Sequence, residues 1–447
     1  MTITFSIIKK SQLESAQRLD AEYYQPEYLE VARKLKNAPK ISELISDIRY
    51  GLYVEPEYKD KGTNFVRATN LLNFWIGGEI LKIDEKNVPK DYKLKIGDSL
   101  IVRSGANTGC VSLTYPDFEN ATFGSYTIRL RFNKINPFFA SVFLNSKYGV
   151  LQTQKLQTGM AQPNLNIPNI KEIKIPIITE NKQKEVENLC IKIKEEKKKS
   201  ESFYSQAENL LLEELGLKDF GEKAGLWSIV NLSEAKKAGR VDAEYFQLKY
   251  EKLISKIKNK DWQTLETFIK THSTGFPFES ENYQETGIPL IRINNIQKGY
   301  LDLSNSAYLT EKDYLLSPKD IAKPGDIVLS MSGTIGMTAL IPKDVPKSII
   351  NQRILRITPQ NIEKDYLVLL LNSIIGAYQL ERIGTGGVQT NISYKDIKNI
   401  LIPVLPKLTQ QKISELVRKS HEARKKSKEL LEEAKTKVEE LIENSWG

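Results

Sequence analysis

The chain has 447 residues, 40% of them hydrophobic and 27% charged, with a formal net charge of +9. At roughly 100–200 residues per domain this gives two to four domains with real apolar cores. No apolar run approaches the roughly 18 residues of a membrane helix. Two cysteines (Cys110, Cys190) and two histidines (His272, His421) exclude a disulfide framework, a cysteine-rich zinc site and a histidine-based metal centre.

In chain order, residues 1–10 place their lysines after a short apolar stretch. That is the reverse of a secretion signal, so a cytoplasmic location is expected. Residues 94–102 read as a turn at Gly97-Asp98 followed by a strand over 99–102. Residues 126–132 alternate polar and apolar side chains, as in a half-buried strand. Residues 138–151 carry apolar side chains at helical spacing. Residues 169–178 read as a short helix or turn running into a strand that Pro176 confines to an edge. A long charged helix is expected over 181–217. The pattern then recurs at 325–330, 352–357 and 366–380, and closes on a second long helix over 408–444.

The recurrence is an internal duplication. Arg18-Leu19-Asp20-Ala21-Glu22-Tyr23-Tyr24-Gln25 returns as Arg240-Val241-Asp242-Ala243-Glu244-Tyr245-Phe246-Gln247 at an offset of 222. Phe65 to Asn70 matches Leu290 to Asn295. Gly97-Asp98 with Ser104-Gly105 matches Gly325-Asp326 with Ser332-Gly333. Gly159, Gln162, Asn164, Ile170, Ile173 and Pro176 match Gly386, Gln389, Asn391, Ile397, Ile400 and Pro403 without a gap. Each copy is a mixed α/β globular region followed by a long helix.

In the second long helix Ile413, Val417, Ser420, Arg424, Ser427, Leu431, Ala434, Val438 and Leu441 recur at alternating spacings of four and three, which is a heptad seam. The first helix carries a similar stripe at Val186, Leu189, Ile193, Phe203, Ala207, Leu210 and Leu211. Both seams are thin and polar in the middle, so each helix needs a partner and the natural partner is the other. The first holds seven lysines against eight glutamates; the second holds nine lysines or arginines against eight glutamates. The charge of the helices cancels, and the excess of +9 sits on the globular parts. That placement points to an anionic partner, nucleic acid first.

The residues offer no catalytic constellation. Asn136-Pro137-Phe138-Phe139 resembles the motif with which amino-methyltransferases hold a target nitrogen, but it lacks the second proline and a preceding glycine-rich turn for a methyl donor. Pro116-Asp117 with Glu172-Ile173-Lys174 is a poor copy of a nuclease core, and the second module has Lys343 where the aspartate should be. Ser104 to Gly109 and Ser332 to Gly336 are glycine-rich without the lysine of a phosphate loop. They read as tight hairpins after a strand, able to offer N–H groups to a phosphate.

Taken together, the duplicated Arg-Leu/Val-Asp-Ala-Glu-Tyr opening, the Gly-Asp…Ser-Gly…Gly segment and the exits Gly159…Gln162-Pro163-Asn164…Pro176…Gln183 and Gly386…Gln389-Thr390-Asn391…Pro403…Gln410 carry a resemblance. The chain resembles the specificity subunit of type I restriction–modification systems over essentially its whole length. The exits depart from the family's proline-rich run, with Pro176-Ile177-Ile178 and Pro403-Val404-Leu405-Pro406 instead.

The resemblance implies an α+β fold. It has target recognition domains at 1–180 and 218–407 and spacer helices at 181–217 and 408–447, the helices pairing as an antiparallel coiled coil. It implies a non-catalytic subunit without cofactor or metal, in which each domain reads one half of a split double-stranded DNA target. Two methyltransferase subunits, which carry S-adenosylmethionine, dock on the helices, and an endonuclease subunit joins the full complex. The two modules differ, so two different half-sites are expected. Rival readings are a degenerate methyltransferase, a protein-only coiled-coil scaffold, and the same module serving another defence system.

Arginine, asparagine and glutamine read guanine and adenine edges. The candidate readers are Arg67, Asn70, Arg103, Asn107, Tyr126 and Arg129 in the first module, and Arg292, Asn294, Asn295, Thr334, Gln352 and Arg353 in the second. Gln162, Asn164, Gln389 and Asn391 recur at matched places, which suits a structural turn better than readout of two different half-sites.

Overall fold

The computed structural model describes residues 5–10, 13, 19–53, 57–158, 163–218, 220, 229–384 and 391–445. Gly159, Gln162, Gly386, Gln389 and Thr390 lie outside the described residues. The chain divides into two compact units, residues 1–196 with 426–447, and residues 197–425.

In the first unit a four-stranded antiparallel sheet runs in the order Ile45–Tyr50, Thr127–Phe132, Ser99–Val102, Val111–Leu113. The 99–102 strand is where the sequence places it. Its alternation is apolar on both faces because the sheet is covered on both. Ile101 faces the large core with Phe139 and Phe143. Leu100 and Val102 face a smaller core with Val66, Leu71 and Phe123. The glycine-rich 104–109 segment is the hairpin between strands 99–102 and 111–113, with Gly105 and Gly109 at positive φ of 109° and 90°. Beyond the smaller core a second sheet has Thr63–Val66 between Leu81–Ile83 and Thr122–Phe123, the last pair parallel.

The helical run expected over 138–151 is two helices, Pro137–Asn145 and Lys147–Leu156. Ser146 breaks it. Its backbone is extended (ψ 168°) and its hydroxyl donates to the Phe143 carbonyl at 2.6 Å. Asn136 caps the first helix, its Oδ1 accepting from the Phe138 and Phe139 amides at 2.9 and 3.2 Å. The Asn-Pro-Phe-Phe segment is therefore a helix start. After the short Ile167–Lys171 helix, Lys174 makes one isolated bridge, to Lys40.

The second unit repeats the plan. Its four-stranded sheet runs Ile269–Ser273, Ile354–Pro359, Ile327–Ser330, Thr338–Leu340. Ile288–Ile291 lies between Ala307–Leu309 and a parallel Ile349–Ile350. The helices Lys364–Asn372 and Ile374–Ile383 are again split at a serine, Ser373. After the short Tyr394–Ile397 helix, Leu401–Pro403 is a true edge strand paired with Trp262–Thr264.

Two long helices, Glu180–Glu214 and Lys407–Ser445, pack against each other in antiparallel sense within each unit. In the first unit Val186, Leu189, Cys190 and Ile193 share a core with Leu431, Ala434, Val438 and Ile442. Ser427 donates to the Ile193 carbonyl at 3.1 Å, and Lys437 pairs with Glu185 at 2.6 Å. In the second unit Ala207 and Leu211 share a core with Ile413 and Val417, and Ser420 donates to the Ser200 carbonyl at 2.8 Å. The expected heptad holds from Ile413 to Val438 except at Arg424, which is half-buried and stacks 3.8 Å from the Tyr300 ring while Ala423 beside it is buried. At the end Ile442 is fully buried and Leu441 only partly. A straight helix drifts about 20° per heptad, which moves the buried stripe on by a residue.

Candidate nucleic-acid interface

In each module one tight turn joins the two sheets and carries candidate readers. In the first module Gly124 donates its amide to the Val66 carbonyl at 3.0 Å, and Leu52 N donates to Phe123 O at 2.8 Å. Thr127 closes the turn, its amide and hydroxyl both donating to the Gly124 carbonyl, at 3.0 and 2.7 Å. In the second module Asn351 N donates to Ile291 O and Gln352 N to Phe276 O, both at 2.9 Å. A glycine backs each turn: a Cβ on Gly51 would strike the Gly124 carbonyl, and one on Gly275 the Asn351 carbonyl. The scaffold is shared; the tips are not. Ser125-Tyr126 in one module stands where Gln352-Arg353 stands in the other.

Tyr126 is 64% exposed. Arg103 lies beside it, its amide donating to the Tyr126 carbonyl at 2.9 Å and its guanidinium 4.7 Å from the Tyr50 ring. Asn107 is exposed on the 104–109 hairpin, which Thr108 braces by donating to the Gly105 and Pro163 carbonyls at 2.7 and 3.0 Å. In the second module Arg292, Asn294, Thr334 and Gln352 are brought together around one open cleft of about 560 Å³, with Gln297 and Asn351. Arg353 is exposed, at a positive φ of 65°, and donates to Asn391 Oδ1 at 2.5 Å. Asn391 thus holds a candidate reader in place, as a turn residue would.

Three candidates are withdrawn from solvent, which corrects the sequence reading for them. Asn70 is buried; its Oδ1 accepts from the Arg67 amide at 2.9 Å and its Nδ2 donates to the Gly77 and Glu79 carbonyls at 3.0 and 2.9 Å. Asn295 repeats this, accepting from Arg292 N at 2.9 Å and donating to Asp302 O at 2.9 Å. Both amides are spent on closing an Arg-x-x-Asn turn. The partly exposed Arg67 and Arg292 brace the same turns through the Glu79 and Asn305 carbonyls at 3.0 and 3.1 Å.

Arg129 is fully buried. It pairs with Asp47, lies 4.0 Å from Asp98, and donates to the Asp91 carbonyl at 2.8 Å. Burial pushes the Asp47 carboxyl up, but hydrogen bonds from Arg49 and Arg129 more than offset this and hold it below the usual carboxylate range. Burial also lowers the Arg129 guanidinium, with Asp47 opposing. Its counterpart Arg356 pairs with Asp326 at 2.7 Å, likewise inside the module. A guanidinium enclosed this way reaches no base edge.

The sequence reading missed three residues. Gln297 and Asn351 line the cleft, and Tyr53 stands 93% exposed on the loop next to the Tyr126 turn. The amides carried a signal, since each neighbours a candidate in sequence. Tyr53 carried none, since it sits between Leu52 and Val54 in an apolar stretch that reads as core. Among the described residues no group of three or more histidines, cysteines or carboxylates is placed to hold a metal, and no helix is long and apolar enough to cross a membrane.

The model of the type I restriction modification DNA specificity domain matches residues 41–206 and again 259–433, together well over half of the chain. The type I restriction enzyme MjaVIII specificity subunit of Methanocaldococcus jannaschii is 26% identical over 396 residues, covering 84% of each chain. A putative MjaX specificity subunit of the same organism is 24% identical over 434 residues, covering 90% of this chain and 91% of its own. The crystal structure of a type I restriction–modification S subunit from M. genitalium superposes with a TM-score of 0.42 at 17% identity, covering 91% of this chain and 94% of that one. With two matched copies on the two duplicated modules, the chain belongs to the type I restriction modification DNA specificity family.

Proposed function

We propose that the chain is the non-catalytic, DNA-reading subunit of a type I restriction–modification complex, with recognition domains at 1–180 and 218–407 and spacer helices at 181–217 and 408–447. One observation carries the reading: the two modules share a scaffold down to the backbone bonds that anchor the turn, Gly124 to Val66 and Asn351 to Ile291, yet differ at the exposed tips, as two different half-sites require. The DNA-facing set is Arg67, Arg103, Asn107 and Tyr126 in one module and Arg292, Asn294, Thr334, Gln352 and Arg353 in the other. Methyltransferase subunits dock on the long helices, two per chain because the helices belong to a duplicated unit, and an endonuclease subunit joins them.

The purified chain, alone and with its methyltransferase partner, is titrated with duplex DNA at several salt concentrations. Binding that weakens steeply with salt, through counterion release from phosphates, together with methylation only when the partner is present, is the expected result. Methyl transfer by the chain alone would make it an enzyme. Absent or salt-independent DNA binding in both samples would make it a protein scaffold.

A further inference from the structure

The turn at Gly124–Thr127 carries an exposed aromatic candidate of the first module. The turn is rigid: Thr127 closes it with two hydrogen bonds, Gly124 ties it to Val66, and Gly51 packs on its back. Tyr126, at its third position, has its amide carbonyl engaged by Arg103 and its side chain in solvent. Tyr53 is exposed on the adjoining strand exit, where Gly51 N donates to Thr127 O at 3.0 Å and Leu52 N to Phe123 O at 2.8 Å. Arg103 adjoins the turn, its guanidinium 4.7 Å from the Tyr50 ring, and Tyr50 is fixed by accepting the Ile167 amide at 3.2 Å. This edge therefore offers aromatic faces and one cation. The same edge of the second module offers Gln352 and Arg353 at the turn and amides in the cleft beneath.

Resting on the DNA-reading function above, we propose that Tyr126 is a stacking residue, which reads the first half-site by laying its ring on an unstacked base step. The second module reads with hydrogen bonds from the equivalent turn. The backbone that carries the ring is already ordered, so only side-chain freedom is lost on contact. Aromatic faces stack on any base and favour steps that unstack easily, so the selectivity would follow deformability as well as base identity.

The half-sites are first mapped by methylation sequencing of the wild-type complex. A duplex carrying the mapped target, with 2-aminopurine placed through the first half-site, is then titrated with wild type, Tyr126→Phe and Tyr126→Ala. Expected are a roughly tenfold loss of target affinity and loss of the fluorescence rise in Tyr126→Ala. The slope of affinity against salt should not change, since no phosphate contact is removed, and Tyr126→Phe should behave like wild type. An unchanged affinity in Tyr126→Ala, or a Tyr126→Phe as weak as Tyr126→Ala, would overturn stacking and leave DNA reading intact. A wild-type complex that binds no DNA would overturn both. Melting curves of the variants check that the turn still folds.

Discussion

Arg129 and Arg356 are matched residues, both withdrawn from solvent beside the matched Asp98 and Asp326, although Arg129 pairs most closely with Asp47. At this scale repetition separates structure from readout. A residue that does the same thing in both modules cannot distinguish two half-sites. Asp326→Ala would leave Arg356 buried and unpaired, at a cost of about 3–5 kcal/mol. Denaturant unfolding of the full chain should register that loss while the mapped target stays the same; a changed target would return Arg356 to the interface. Two other buried groups set a pH response. Burial, aided by Arg424, pushes His421 down to about 4, and burial, opposed by Arg418, pushes Asp365 up to about 6. As pH falls from about 6.5 to 4 the unfolded chain protonates His421 and the folded chain does not, so about 3 kcal/mol is lost. Over nearly the same range folded Asp365 takes a proton before the unfolded one does. Its stabilising share is complete below about 3.8 and lost as pH rises through about 6, again about 3 kcal/mol. The two nearly cancel. Asp365→Asn should make stability fall more steeply on acidification between pH 6.5 and 4.5 than wild type, and His421→Gln should make it rise. Parallel denaturant curves at both pH values would contradict both assignments.

At the scale of elements, much of the fold was legible because periodicity survives in short strands. Strand 99–102 falls where the sequence puts it, an apolar run buried on both faces and bounded by a glycine turn. Strand 127–132, placed correctly by its alternation, is buried on both faces rather than half-buried, because its polar positions Thr127 and Arg129 are enclosed within the module. What was not legible depends on tertiary partners. The helix break at Ser146 looks helical in sequence, because only the serine's bond to Phe143 and the fit of Gly149 against that turn reveal it. The candidate site was half legible for the same reason. Arginine and asparagine patterns look alike whether the side chain faces a groove or closes an Arg-x-x-Asn turn, and only burial told Asn70 and Arg129 from Arg103 and Asn107. The glycines of these turns and hairpins make this scale testable. Gly275 has a positive φ of 78° and lies against the Asn351 carbonyl, whereas Gly105, at a φ of 109°, faces open space. Gly275→Ala should cost about 2–4 kcal/mol, strain and clash together, and Gly105→Ala about 1 kcal/mol from strain alone. Thermal unfolding that ranks them the other way would mean the turn is not held as described.

For the whole molecule, helix length is the quantity that the proposed function turns into DNA sequence. The seam is polar through its middle, but not loose. Ser427 donates to the Ile193 carbonyl, and Ser420 to the Ser200 carbonyl, so four residues added to one helix alone would break register with the other. A length change that preserves both seams must add a whole heptad to each helix. Residues 194–200 and 420–426 are facing heptads, and duplicating both keeps every a/d position in phase. Seven residues at ~1.5 Å add about 10 Å of rod, or about three base pairs at ~3.4 Å each. Methylation sequencing of the doubly extended chain with its methyltransferase partner should show both half-sites unchanged and the gap between them longer by about three base pairs. Extending one helix only should instead lower stability and abolish methylation, because the serine bonds cannot re-form in register. Full activity at the original gap in the doubly extended chain would show that the helices do not measure the target, and the spacing would have to be assigned to the methyltransferase subunits.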